Sequence, residues 1–123
     1  MTVKECYSQM GGDYNNVLSR FYDEAMIKRL LGRFIDDTSF RALEQAMAEG
    51  DVQAAFNAAH TLRGVCQSLS FTQLCGTLNP ITEALRGGNI AAAAADMDKA
   101  KREYDVTPVS YTHLRAHETG AYL

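Results

Sequence analysis

The sequence predicts an all-α protein, most economically an antiparallel up-and-down four-helix bundle with short N-terminal helices. Alanine is abundant, and the β-branched residues that favour strands are sparse before the last stretch. Apolar residues recur at helical spacing along most of the chain. Short turns of Gly, Asp, Asn and Ser separate these segments, which favours antiparallel neighbours, and 123 residues suffice for one core.

Each predicted helix has a recognisable start and stop. Capping side chains precede most of the apolar runs, and glycines follow several of them. Pro80 falls inside a predicted helix, where it removes one backbone donor and should kink the helix. The predicted segments are residues 3–10, 14–21, 24–35, 40–49, 52–68, 71–85 and a last helix from residue 90. The predicted caps are Asp13, Asp23, Asp51, Ser70 and Asn89, and residues 36–39 are either a kink or a new cap.

The C-terminal segment does not fit the rest of the chain. Residues 109–119 leave the Ala-rich pattern without a cap, and they resemble the in-frame translation of a sequencing adapter. We therefore expect residues 1–107 to form the domain and residues 108–123 to be a non-native tail. His113 and His117 have the i, i+4 spacing of metal ligands, but they belong to this tail, so we expect no metal site.

Composition and charge argue against several classes of protein. The net charge is −3 with no basic stripe, which argues against nucleic-acid binding. The three cysteines lack CxxC spacing, which argues against a zinc site or a disulfide framework. No signal peptide or membrane-spanning stretch is evident, so we expect a cytoplasmic protein without membrane contact.

The helix predicted after Asp51 carries the candidate chemistry. Its apolar positions form one stripe, and His60 lies at the solvent side of that stripe. His60, Arg63, Gly64 and Gln67 follow i, i+3, i+4, i+7 spacing and share a flank. The stripe itself comprises Val52, Ala55, Phe56, Ala59, Leu62, Cys66 and Leu69.

The residue types on this flank suit phosphoryl chemistry. Imidazole is a good nucleophile at neutral pH, and Arg63 could hold phosphoryl oxygens. Gly64 costs about 1 kcal/mol inside a helix, which suggests that another molecule approaches the backbone there. Gln67 could orient the ring or donate to phosphate. Spacing alone also permits a simpler interpretation, in which His60 is a surface residue and Gly64 allows tight helix packing.

The stretch AAHTLRGVCQSLSF, residues 58–71, resembles the signature of the histidine phosphotransfer (HPt) family. That signature reads roughly A-H-x-L-K-G, followed by small residues, a Leu and a turn. The resemblance extends over about residues 3–107 and includes the LRGG turn at residues 85–88. Two positions depart from it: Arg63 stands where the family usually has Lys, and Ser70 where Gly is common.

The resemblance implies a function in two-component phosphorelays. His60 would accept a phosphoryl group, at Nε2 by family analogy, from an aspartyl-phosphate on a response-regulator receiver domain and pass it on. The implied partners are that receiver and a hybrid sensor histidine kinase. The chain would act as a monomeric relay intermediate, not an autonomous enzyme, with no cofactor of its own and with Mg²⁺ on the receiver.

The same sequence has three alternative interpretations. A helical interaction module could bind a receiver or kinase without accepting phosphate. A dimeric phosphotransferase or kinase dimerisation element would have an acidic residue beside the histidine, where this chain has Thr61. A metal-binding bundle would need inward-facing Glu and Glu-x-x-His ligands, which the sequence lacks.

Overall fold

The computed structural model describes residues 2–120, with Tyr111 the only side chain described beyond Thr107. This part of the chain is helical and contains no strand, which confirms the predicted fold class. Seven helices follow in order: α1 Val3–Met10, α2 Tyr14–Phe21, α3 Glu24–Asp36, α4 Ser39–Glu49, α5 Val52–Ser68, α6 Thr72–Arg86 and α7 Ile90–Gly120. None of them combines the length and the apolar character that crossing a membrane requires, within the described residues.

The long helices pack side by side in chain order. Helix α4 packs on α5, α5 on α6 and α6 on α7, while α3 and α1 also contact α7. Short α2 bridges α1 and α3. The core between them is mainly aliphatic and includes an aromatic cluster. In this cluster the ring centroids of Phe34 and Phe71 lie 4.9 Å apart, and the Phe40 ring stacks on Tyr104 with centroids 4.4 Å apart. Helix α5 therefore has neighbours on two sides and one long exposed face.

Local capping explains where most helices begin. Asp13, Asp23, Asp51 and Asn89 each accept a hydrogen bond from a backbone N–H in the first turn of the following helix, as predicted. Each such cap typically contributes about 1 kcal/mol. The interruption at residues 36–39 is a true helix boundary, where the Asp37 carboxylate accepts from the Ser39 backbone N–H at 2.7 Å.

The predicted cap at Ser70 is wrong. Ser70 is buried and adopts a left-handed backbone with φ of 58°, while Phe71 occupies the N-cap position without a side-chain cap bond. The Ser70 hydroxyl donates instead to Asn16 Oδ1 at 2.6 Å, and its carbonyl accepts from the Asp13 N–H at 2.8 Å. These contacts with the start of α2 hold a conformation that glycine would adopt at lower cost.

The last helix continues beyond the predicted end of the domain. Helix α7 continues through Pro108 to Gly120. Tyr111 is partly buried against the core. Residues 121–123 and the side chains of His113 and His117 lie outside the described residues. That residues 108–123 are non-native stays a proposal, which resequencing the gene across the codon for Thr107 would test.

A buried hydroxyl ties α1 to the end of α5. Tyr7 is fully buried, and its hydroxyl donates to the Leu69 carbonyl at 2.8 Å. Burial raises the pKa of this phenol and of the Cys66 thiol, and it raises the pKa of the Cys6 thiol to about 11. All three groups therefore keep their protons in the folded chain at pH values where the unfolded chain has lost them.

This difference predicts alkaline destabilisation. Because the unfolded chain binds fewer protons at high pH, the free energy of unfolding falls as pH rises above about 9. We expect a loss of about 2–4 kcal/mol between pH 8 and pH 10.5, measured by denaturant titration under reducing conditions. Tyr7→Phe should cost about 1–2 kcal/mol at pH 7 and should lessen the decline only above about pH 10, because the two thiols account for most of it at lower pH. Tyr22→Phe, at a side chain that is 85% exposed, is the matched control. A wild-type free energy that stays constant over this range would contradict the prediction.

Candidate functional site

His60 lies on the exposed face of α5. The helix begins after Asp51, whose carboxylate accepts from the Ala54 N–H at 3.1 Å. The opposite face is buried and fixes how the helix rotates in the bundle; its buried residues are Ala55, Ala59, Leu62 and Cys66. Since Ala59 is buried and His60 is exposed, the imidazole stands at the border of the core, where a partner can reach it.

An aromatic ring sits one turn before the histidine. The rings of Phe56 and His60 meet edge to face, with centroids 5.8 Å apart and an interplanar angle of 63°. The guanidinium carbon of Arg86, at the end of α6, lies 5.0 Å from the centre of the Phe56 ring, within cation–π distance. Phe56 is only partly buried, so it serves both the core and the surface around His60.

Arg63 is engaged by a carboxylate from the neighbouring helix. Its Nη1 lies 3.4 Å from Glu83 Oε1. Glu83 also accepts from Arg86 Nε, at 3.1 Å to Oε2. The hydrogen bond from Arg86, with a smaller contribution from Arg63, lowers the pKa of the Glu83 carboxyl. The positive charge predicted beside His60 is thus present, with a counter-ion in place.

Gly64 is open to solvent. Apart from the helix's own backbone, no atom lies within 4 Å of the position that a Cβ would take there. Tight packing between helices therefore does not explain this glycine. Beside it lies a groove of about 420 Å³ between α5 and α3. Its lining includes Thr61, Phe21, Leu30 and Arg33. The flank of His60 has room for another molecule.

Gln67 lies two turns from His60 and contacts a different group. It lies near the Cys75 thiol, whose pKa is raised by burial; the positive charge of Arg63 and, to a smaller extent, the Gln67 side chain partly offset that rise. The Gln67 and Ser68 carbonyls both accept hydrogen bonds from the Arg20 guanidinium. Gln67 thus marks the point where α2, α5 and α6 meet.

A family match identifies the chain that carries this face. Residues 29–116, more than half of the chain, match the family model described as Hpt domain. The chain belongs to the Hpt domain family. An Hpt domain is a histidine phosphotransfer module of phosphorelays, a carrier of phosphoryl groups and not a kinase, and it works with receiver domains and kinases.

A solved structure shows the same fold as this Hpt domain. The crystal structure of histidine-containing phosphotransfer protein B from Pseudomonas aeruginosa PAO1 superposes with a TM-score of 0.76 at 24% sequence identity. The match covers 87% of this chain and 96% of that one. No curated protein sequence matches the chain.

The structure adds two residues to the candidate site that the sequence did not indicate. Glu83 and Arg86 are separated by three positions on α6, a common spacing for an exposed ion pair. Only the packing of α6 on α5 reveals that Glu83 reaches Arg63 and that Arg86 reaches Phe56. Within the described residues, no three His, Cys, Asp or Glu side chains cluster as metal ligands would.

Proposed function

We propose that His60 is the phosphoacceptor of this Hpt domain. It takes a phosphoryl group from the aspartyl-phosphate of a response-regulator receiver and passes it to a second receiver. The observation that carries the proposal is an exposed imidazole followed, one turn on, by a helical glycine with open space above it. Glycine there costs about 1 kcal/mol of helix stability and no internal contact requires it.

The proposed step is a displacement at phosphorus. An unprotonated nitrogen of His60 attacks, a P–N bond forms, and the P–O bond to the receiver aspartate breaks. The aspartate leaves as a carboxylate, and the other ring nitrogen can release its proton to solvent. The reverse sequence delivers the phosphoryl group to the next aspartate. The receiver brings the Mg²⁺ that neutralises the transferring phosphoryl, so this chain supplies the nucleophile and its surroundings.

Arg63 and Gly64 have complementary parts in this proposal. The Arg63 guanidinium lies one turn from His60 and can donate to phosphoryl oxygens, where the family usually has a lysine. Gly64 leaves the approach to the ring clear. Gln67 is proposed to shape the far edge of the same surface, since it is exposed on α5 two turns after His60.

The partners follow from the relay chemistry. We propose a receiver domain and a hybrid sensor histidine kinase as partners, with the chain acting in the cytoplasm as a monomer. Two neighbouring features suit a transient interface, namely the exposed face of α5 and the apolar groove beside Gly64.

A transfer assay tests the proposed function. The chain is incubated with a receiver that carries phosphate on its aspartate, and both proteins are followed on Phos-tag gels. We expect the chain to take up phosphate that is labile in acid and stable in alkali, as a phosphoramidate is. Binding to the receiver without uptake of phosphate would instead establish the non-phosphorylated interaction module and refute the proposal.

A further inference from the structure

Five side chains from α5 and α6 form a chain of contacts around the acceptor. His60 touches Phe56, Phe56 lies under Arg86, Arg86 pairs with Glu83, and Glu83 pairs with Arg63. Phe56, His60 and Arg63 lie at i, i+4 and i+7, on one face of α5. The series of contacts therefore begins and ends on α5. Glu83 is the only acidic residue among the five.

We infer that Glu83 is a positioning residue of the transfer site: it holds Arg63 while His60 is unmodified and releases the guanidinium to the phosphoryl group. This inference rests on the proposed function of His60. Glu83 would thereby regulate how strongly His60 holds the phosphoryl group.

The burial of the two partners shows which of them can move. The Arg63 side chain is only 18% exposed, so packing restrains it and leaves only its guanidinium free to change partner. The Glu83 side chain is 57% exposed and sits at the surface of α6, so it can swing away into water. Arg63 Nη1 lies 3.4 Å from Glu83 Oε1. A strong charge-assisted hydrogen bond is shorter, at about 2.7–2.9 Å. The contact is therefore weak enough to be exchanged.

Arg86 gives Glu83 a second partner. The 3.1 Å hydrogen bond from Arg86 Nε remains available when Arg63 turns to another anion. A phosphoryl group on His60 carries more negative charge than a carboxylate and lies one helical turn from Arg63, so it competes well for the guanidinium. Glu83 then remains paired through Arg86.

The sign of the effect follows from these charges. Glu83 disfavours phospho-His60 in two ways, by competing for Arg63 and by repelling the phosphoryl group. Both effects push the phosphoryl group from His60 toward the aspartate of a receiver. A carrier with this property passes its phosphoryl group on more readily than one in which Arg63 is free.

The test is the position of the transfer equilibrium in the full chain. We expect Glu83→Gln to raise the ratio of phospho-His60 to receiver aspartyl-phosphate about two- to fivefold, because exposed ion pairs have effects of this size. Asp105→Asn is the matched control: Asp105 is 55% exposed, pairs with Lys101 and lies on α7. It loses the same charge and should leave the ratio unchanged.

Two further measurements separate positioning from changes in docking or folding. A small phosphoramidate donor, which needs no receiver, should also phosphorylate Glu83→Gln faster than wild type. In an Arg63→Ala background, Glu83→Gln should change the logarithm of the ratio of phospho-His60 to receiver aspartyl-phosphate by less than half as much as it does in wild type. Circular dichroism should show unchanged helicity in all variants.

The outcomes are distinguishable. If wild type takes up phosphate and Glu83→Gln has the same ratio as Asp105→Asn, the inference about Glu83 is overturned while the proposed function stands. An effect that is undiminished without Arg63 also overturns it, since Glu83 would then act by simple repulsion. If wild type takes up no phosphate, both ideas fail.

Discussion

A chain carrying His60→Gln is expected to fold like wild type and to take up no phosphate from a charged receiver. The side chain is exposed on α5, so the free energy of unfolding should change by less than about 0.5 kcal/mol. Glutamine keeps the size and polarity of the position but has no nucleophilic nitrogen. Uptake is measured on Phos-tag gels, and stability by thermal unfolding.

The matched control for this variant uses the other histidines. His113→Gln combined with His117→Gln removes two imidazoles from the C-terminal segment and should leave uptake at the wild-type level. If His60→Gln still becomes phosphorylated, or if the control loses uptake, then another group is the acceptor.

Replacing Gly64 by leucine is expected to change activity and stability in opposite directions. The added side chain meets no neighbouring group within 4 Å at its Cβ, and leucine favours helix by about 0.8 kcal/mol over glycine, so the chain should become more stable. The same side chain would stand one turn from His60, in the path of the receiver. We expect transfer from the receiver to fall about a hundredfold, since small displacements of reacting groups have effects of this order.

Two comparisons isolate the steric effect of Gly64→Leu. Ala94→Leu places a leucine on the exposed face of α7, away from His60, and should transfer at the wild-type rate. A small phosphoramidate donor should be affected less by Gly64→Leu than a receiver is, because it needs less room. Wild-type rates with the receiver would show that the glycine has no part in docking.

Helix boundaries followed from the sequence wherever they depend on contacts within a few residues. The caps at Asp13, Asp23, Asp51 and Asn89 are of this kind, and each makes the hydrogen bond expected of it. Ser70 failed as a predicted cap because its conformation depends on the start of α2, which lies more than fifty positions earlier in the chain. Pattern alone could not supply that contact.

The candidate site also contains both local contacts, which the sequence indicates, and contacts between helices, which it does not. His60 and Gly64 could be found by helical spacing, since both lie on one helix and one flank. Spacing could place Arg63 near His60 but could not show that it is paired, because Glu83 comes from α6 and the contact depends on how the two helices pack. The contact of Arg86 with Phe56 likewise crosses between two helices, and spacing along one helix could not indicate it.

Mapping the modified residue shows whether the phosphoryl group resides on His60. The phosphorylated chain is digested at alkaline pH, which preserves a P–N bond, and its peptides are sequenced by mass spectrometry with electron-transfer fragmentation. We expect one phosphoryl group, on residue 60. Phosphate found on His113, His117 or a carboxylate, with His60 unmodified, would contradict it.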